Sequence, residues 1–350
     1  MSQTTDKPTL GAHAESSNRV QQPVLNRMLA RPEIGALVAA IVIGIFFLIV
    51  APAFRSGDSL FTVLYQSSTI GIVAVGVGML MIGGEFDLSA GVMIGSSGLL
   101  LGYLTTHAHI SVWPSIVLVL LFGVTVGLVN GITVVRTRLP SFIVTLATFF
   151  ILQGVNAAGT LKLTGTTAIE NIDSAHGFDS ARPVFAGDLT HWDFKVKVLW
   201  WIGLTIAGAW LLAKTRFGNW IYGAGGDPSS SRNVGVPVAR TKILLFVLTS
   251  GTAALMGTIE ALELRSMQSK EGIGLEFIFI ICAVVGGCLL TGGYGSVIGT
   301  AFGAAMLGMV QLGIIDAQWD SNWTYTFQGA ILFIAVILNT VIRARAQKAR

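Results

Sequence analysis

Two acidic pairs and one basic interval are the places where this 350-residue sequence could do chemistry. Glu85 and Asp87 sit in Gly83-Gly84-Glu85-Phe86-Asp87-Leu88-Ser89-Ala90-Gly91, between long apolar runs with no Lys or Arg nearby in the chain. A carboxylate in hydrocarbon is costly, so such groups face a partner or a wet cavity. The alternative is that they cap a helix start, whose positive end favours an anion. Both readings stand at this point. Glu260 and Glu263 are one helical turn apart and share a face, and Arg265 is near enough to pair with either. His107 and His109 have a spacing that could hold a metal on a strand, but no third ligand accompanies them, so no metal site is expected. Cys282 and Cys288 lie in one apolar run and read as small apolar fillers. No HExxH, GxSxG or nucleotide-binding P-loop is present. The chain is therefore not expected to be an enzyme or to carry a cofactor of its own.

The basic interval runs from Lys214 to Lys242. Lys214, Arg216, Arg232, Arg240 and Lys242 face a single acid, Asp227. Gly225-Gly226-Asp227-Pro228 makes a turn, because Gly tolerates any backbone angle and Pro fixes its own. Asp227 or Ser229 can cap a helix of about ten residues that begins near Pro228 and stops near Gly235 or Pro237. Such a helix between membrane spans would be a docking element for a cytosolic partner. Its plainer reading is an ordinary loop obeying the positive-inside rule.

The elements that hold these groups follow from composition. Hydrophobic residues make up 53% of the chain and charged ones 11%, against about 25% charged in a soluble domain. This predicts an all-α, polytopic membrane protein, with about ten spans. The spans are expected at 34–50, 60–82, up to 104, 113–135, 141–158, 198–213, 243–259, 275–290, 297–315 and 323–342. Residues 1–33 form a polar N-terminal tail, with one interfacial turn around Val24, Leu25, Met28 and Leu29. Residues 34–342 form the transmembrane domain and 343–350 a basic tail. The longest external loop is 159–197, with Trp192, Trp200 and Trp201 as an interfacial belt. The interval 214–242 is cytosolic. With ten spans both termini share one side, which holds 15 of the 22 Lys and Arg. That asymmetry orients the chain with both termini inside. The net charge of +4 thus reads as membrane orientation rather than nucleic-acid binding.

A transport path needs hydrogen-bonding groups and weak binding. Gly84, Glu85, Asp87, Ser89, Thr145, Gln153, Asn156, Gly293 and Ser296 are the candidates. The polar residues of span 5 could equally hydrogen-bond to neighbouring helices. Gly83-Gly84 followed by Gly91 and Gly95 echoes Gly292-Gly293 followed by Gly299 and Gly303. Repeats with interrupted spans are typical of transporters. The residues leave two classes: a transport channel or permease, with or without a partner to power it, and a membrane assembly protein.

Several motifs in order carry a resemblance. They are GGEFDLSAG at 83–91, NG at 130–131, PSFIVTLAT at 140–148, TRFGN at 215–219, GGDP at 225–228, Arg232 to Lys242 with its VGVP, and GGYGSVIGT at 292–300. The chain resembles the permease subunits of bacterial ATP-binding-cassette importers for monosaccharides of the ribose, xylose, arabinose and fructose type, over about residues 35–342. It departs at Glu85-Phe86, where the family commonly has one apolar residue before Asp, and at Asp227, often Asn. The resemblance implies a type II importer permease acting as a dimer in the inner membrane. It implies two cytosolic ATPase modules that supply ATP and Mg, and a periplasmic binding protein that delivers the sugar. It also makes the basic interval the coupling element, with Gly225, Gly226, Asp227, Pro228, Ser229, Arg232, Asn233 and Gly235 as its residues. A polyol, inositol or autoinducer is the alternative solute; a stand-alone channel or carrier is the alternative class.

Overall fold

Apolar runs bounded by Pro, Gly and charge fold as helices, because a buried backbone must satisfy its own N–H and C=O groups. The computed structural model describes residues 32–189 and 194–348, with side chains between 33 and 337. The expected tail up to Arg31, its interfacial turn, Trp192 and the side chains of the basic tail lie outside the described residues.

Helix α1 is Pro32–Val50, α2 Gly57–Ile82, α3 Ala90–Thr106 and α4 Val112–Thr137. Helix α5 covers Ser141–Thr164, with a π turn at Val155–Gly159. Then come the short α6, Phe178–Phe185, and α7, Val196–Lys214. Two helices fill the basic interval, α8 Arg216–Gly226 and α9 Pro228–Asn233. The chain ends with α10 Val238–Leu264, α11 Leu275–Val285, α12 Val297–Asp316 and α13 Trp323–Lys348. A two-residue strand, β1 Ala168–Ile169, pairs antiparallel with β2 Met267–Gln268 and ties the long loop after α5 to the loop after α10.

Among the described residues seven helices are long and apolar enough to cross a membrane: α1, α2, α4, α5, α7, α10 and α12. Of the about ten spans expected, these seven are helices of spanning length among the described residues. Three further apolar helices, α3, α11 and Trp323–Ile337 of α13, are shorter. For α3 and α11 the cause is visible. Each is preceded by non-helical chain that runs inside the bundle. A Cβ on Gly102, Gly98, Gly95 or Gly91 would meet, in that order, Ile169, Met267, the Glu271 carbonyl and the Gly272 carbonyl. The chain from Met267 to Gly272 therefore descends along α3 in the opposite sense, and α11 starts only after that descent. The expected span 275–290 ends as a helix at Val285.

The centre of the bundle is α2, α10 and α12, whose apolar windows are 61%, 67% and 56% buried, against 17% for α1. Helix α10 packs on α4, α3 and α2, and α12 on α2 and α1. The α4–α10 seam is a stripe of small residues. Gly123, Gly127 and Gly131 bring α4 so close that a Cβ would lie 3.0 Å from the Ser250 carbonyl, 2.6 Å from the Phe246 carbonyl and 2.8 Å from Ile243 Cα. Without a hydrophobic force between helices in lipid, such backbone approach is what holds them together. Exposed apolar side chains such as Val42 and Ile49 on α1, Val117 on α4 and Ile206 and Trp210 on α7 form the outer surface.

Candidate functional site

The basic interval folds around Asp227. Its Oδ1 accepts from the backbone N–H groups of Ser229 and Ser230, both at 3.0 Å, and from the Ser229 hydroxyl at 2.6 Å. Its Oδ2 accepts from the Ser230 hydroxyl at 2.6 Å. These bonds favour the carboxylate, so Asp227 is held well below the usual range and stays charged at physiological pH. Pro228 fills the first turn. Helix α9 is six residues, not about ten, because Gly235 turns left-handed at φ +87. None of its residues is buried, and Val234 just beyond it is 81% exposed. A short capped helix with an open apolar tip is thus presented next to Arg232.

This helix hangs from a junction of three backbones. A Cβ on Gly225 would lie 1.9 Å from the Ile82 carbonyl and 2.6 Å from Gly293 N, and one on Gly292 2.6 Å from Gly84 Cα. Gly293 N donates to the Ile82 carbonyl at 2.8 Å, and the Tyr222 hydroxyl donates to the Gly295 carbonyl at 3.0 Å. Gly84 and Gly293, at φ +81 and +74, need the freedom of glycine here. The two double-glycine turns that echo in the sequence therefore meet each other, with the coupling segment between them. Ser296, close by, accepts from Gly299 N at 3.4 Å and caps α12.

The Glu85–Asp87 segment leaves the junction and enters the bundle. Glu85 pairs with Lys242 of α10, a cation 157 residues away that the local sequence hides. The Phe86 N–H donates to Ser141 Oγ and the Leu88 N–H to Thr145 Oγ1, each at 3.0 Å. Asp87 is fully buried; its Oδ1 accepts from Ser89 N at 2.8 Å and Ser89 Oγ at 2.5 Å. Asn130 Nδ2 donates to Ser89 Oγ at 3.1 Å, and Thr148 Oγ1 donates to Asn130 Oδ1 at 2.6 Å. Asp87 Oδ2 has no partner. The carboxylate sits just before α3, whose positive end opposes part of its burial cost. Asn130→Ala should remove the hydrogen bonds to Ser89 and from Thr148 and lower stability by about 1–3 kcal/mol. The melting temperature of the purified chain measures it.

The nine path candidates thus do not form one cluster. Gly84, Glu85, Gly293 and Ser296 belong to the junction end, and Asp87, Ser89 and Thr145 to the buried network. Asn156 lies in the π turn of α5, buried and with its Nδ2 unpartnered, and Gln153 is half-buried one turn before it. Ser141 and Tyr222 were not among the candidates, Lys242 was read only as one of the cations of the basic interval, and Val234 only as part of the VGVP motif.

At the opposite end the expected pairing of Arg265 with Glu260 or Glu263 does not form. Arg265 turns away at φ 56 and pairs with Asp173 at 3.4 Å. Glu263 instead binds Lys197 of α7 at 2.9 Å. The described His107 and His109 gather no metal-binding group.

A buried non-helical passage before α3, a second before α11, and an exposed helix hung from the junction of the two double-glycine turns suit a solute permease. A family described as "Branched-chain amino acid transport system / permease component" matches residues 59–336, and the chain belongs to it. The chain is 30% identical to the inner membrane ABC transporter permease protein YjfF of Escherichia coli K12, over 82% of this chain and 85% of that one. It is 30% identical to the ribose import permease protein RbsC of the same strain, over 87% and 92%. It is 29% identical to the autoinducer 2 import system permease protein LsrC of Salmonella typhi, over 90% and 88%. No solved structure matches. The chain is a permease component of bacterial ABC-type importers for sugars and other small solutes, a transport subunit and not a catalyst.

Proposed function

We propose that this chain forms the translocation path of an ATP-driven importer for a monosaccharide in the bacterial inner membrane. Two copies form the path, cytosolic ATPase subunits bind α9 and hydrolyse ATP with Mg, and a periplasmic protein delivers the sugar. The exposed α9 with its Val234 tip, rooted in the three-backbone junction, is the observation that carries the reading. A partner that pushes on α9 pushes on the ends of α2 and α12 together, because Gly225 is wedged between Ile82 and Gly293. The basic end bears Arg136, Arg138, Lys214, Arg216, Arg232, Arg240 and Lys242, which supports placing it and both termini in the cytosol. The domain limits 34–342, the external loop 159–197 and the coupling loop 214–242 follow from that placement.

The relatives' names give ribose and autoinducer 2, both small and polar, while the family description gives branched-chain amino acids. The ribose import permease, matched over 92% of its length, is what favours a monosaccharide. The test is reconstitution with ribose. Uptake should require the ATPase and the binding protein; uptake by this chain alone at a normal rate would overturn the reading. Asp227→Ala and Arg232→Glu should each reduce copurification of the ATPase without affecting membrane insertion. Unchanged copurification of both would remove α9 as the docking element.

A further inference from the structure

The coupling segment is held at two ends, and only one of them is the glycine junction. At the front, Asp227 alone separates α8 from α9, and Gly225 is wedged against the Ile82 carbonyl and Gly293 N. At the back, residues 234–237 separate α9 from α10. Their N–H groups donate back to α9: Val234 to the Ser230 carbonyl at 3.3 Å, Gly235 to the Arg232 carbonyl at 3.0 Å and Val236 to the Ser231 carbonyl at 3.0 Å. Val238 N then donates to the Val236 carbonyl at 2.9 Å. Thr241, buried, donates to the Pro237 carbonyl through its N–H at 3.0 Å and its hydroxyl at 3.1 Å. A connection whose backbone bonds are closed in this way has little slack. Displacement of α9 therefore reaches the first turns of α10 as well as Gly225.

Those turns of α10 lie against the chain that enters the bundle. Lys242 Nζ donates to Glu85 Oε1. Leu245, one turn further along the same face, packs on Gly83, where a Cβ would lie 2.4 Å from its Cδ1. Both contacts fall on the residues that directly follow α2, either side of the left-handed Gly84. From Phe86 onward the same chain hangs on Ser141 and Thr145 of α5 and leads to Asp87. The Lys242 and Glu85 side chains are 17% and 11% exposed, so water screens the pair only in part. Desolvation offsets much of the attraction in such a pair, and its larger effect is to fix register. Here it sets where α10 sits against the passage 83–89.

We propose that Lys242 and Glu85 are positioning residues for energy coupling, the second link through which α9 moves the passage 83–89. The Gly225 wedge carries the motion to the ends of α2 and α12. The ion pair carries it through α10 to the chain that holds Asp87. This link rests on the importer reading above and adds how the stroke passes beyond the glycine junction. Neutral side chains of similar length keep the packing and lose the link, because a thioether offers no proton to an amide oxygen as an ammonium does to a carboxylate.

The reconstituted complex of full-length chain, ATPase and ribose-loaded binding protein tests the link. In Glu85→Gln with Lys242→Met neither charge is left bare, and α9 with its Asp227 cap is untouched. ATPase copurification should match wild type, while ribose moved per ATP hydrolysed should fall about tenfold, the worth of one hydrogen bond between charged groups. Lys242→Arg keeps the cation and should keep most of the wild-type ratio. A wild-type ratio in the neutral pair overturns the proposal. So does a loss in Lys242→Arg as large as in the neutral pair, because shape rather than charge would then be the cause. The wild-type complex gives a readout that needs no variant. Trapping the ATPase with vanadate should alter hydrogen exchange at the Phe86 and Leu88 amides, which bond to Ser141 and Thr145. Unchanged exchange there overturns the link even where a variant fails to fold. A wild-type complex that binds no ATPase, or moves no solute with ATP, would instead sink the importer reading, and the link with it.

Discussion

Gly225→Ala should dismantle the permease, while Gly226→Ala, one residue on, should be almost silent. A methyl group at position 225 would sit 1.9 Å from the Ile82 carbonyl oxygen and 2.6 Å from Gly293 N. Both neighbours are backbone, so no side chain can swing aside. The strands of the junction must part, and the Gly293 N to Ile82 carbonyl bond goes with them. Overpacking of a well-filled site costs about 1–3 kcal/mol, and loss of a buried backbone bond adds about 1–3 more. A Cβ on Gly226 meets only Gly293 Cα, at 3.8 Å, an ordinary contact. Yield and melting temperature of the two variants in detergent measure the difference. Equal stability of the two would show that the three chains do not meet there. The pair of variants also separates the junction from the docking helix, since Gly226→Ala leaves α9 and its Asp227 cap in place.

Much of this architecture was legible because apolar runs are bounded by charge and by Pro or Gly. The expected spans 34–50, 60–82, 113–135 and 198–213 lie within helices that run only a few residues further. A cap at Asp227 or Ser229 and a helix start near Pro228 were readable, since each rests on local chemistry; the structure makes Asp227 the cap. What could not be read is whatever depends on distant partners. Nothing near Glu85 announces Lys242, and Lys197 looks like one more cation at the edge of a span. The passage at 267–274 escaped for a related reason: it is polar and glycine-rich, and periodicity reads such a stretch as a loop outside the membrane. The glycines of α3, which let extended chain lie against the helix, reveal that it runs inside the bundle. For 85–89 the sequence left an interior passage and a capping turn both open, and the bonds to Ser141 and Thr145 place it inside. The double-glycine echo was visible in the sequence; that its two halves touch was not.

Lys197→Met should be the most harmful single change at the end opposite α9, and Glu263→Gln in the same chain should restore much of the loss. Lys197 is 2% exposed and the Glu263 side chain 13%, so water screens neither well. Removing one partner of a buried pair leaves a bare charge and typically costs about 3–5 kcal/mol. Met keeps the length of the Lys stem and its apolar contact with Tyr65, so the change removes charge more than volume. The bare charge would be Glu263, with Glu260 already unpaired one turn below. Taking away the Glu263 charge as well removes the main repulsion, and a double mutant close to wild type in melting temperature is the expected result. The logic separates two roles for the pair. If the pair only packs α2, α7 and α10 together, the double mutant should be stable and should transport normally. If it seals the outer end of the path, the same stable protein should leak solute when no ATP is present. Downhill efflux of ribose from preloaded vesicles distinguishes these outcomes, because stability and sealing are then read on one protein.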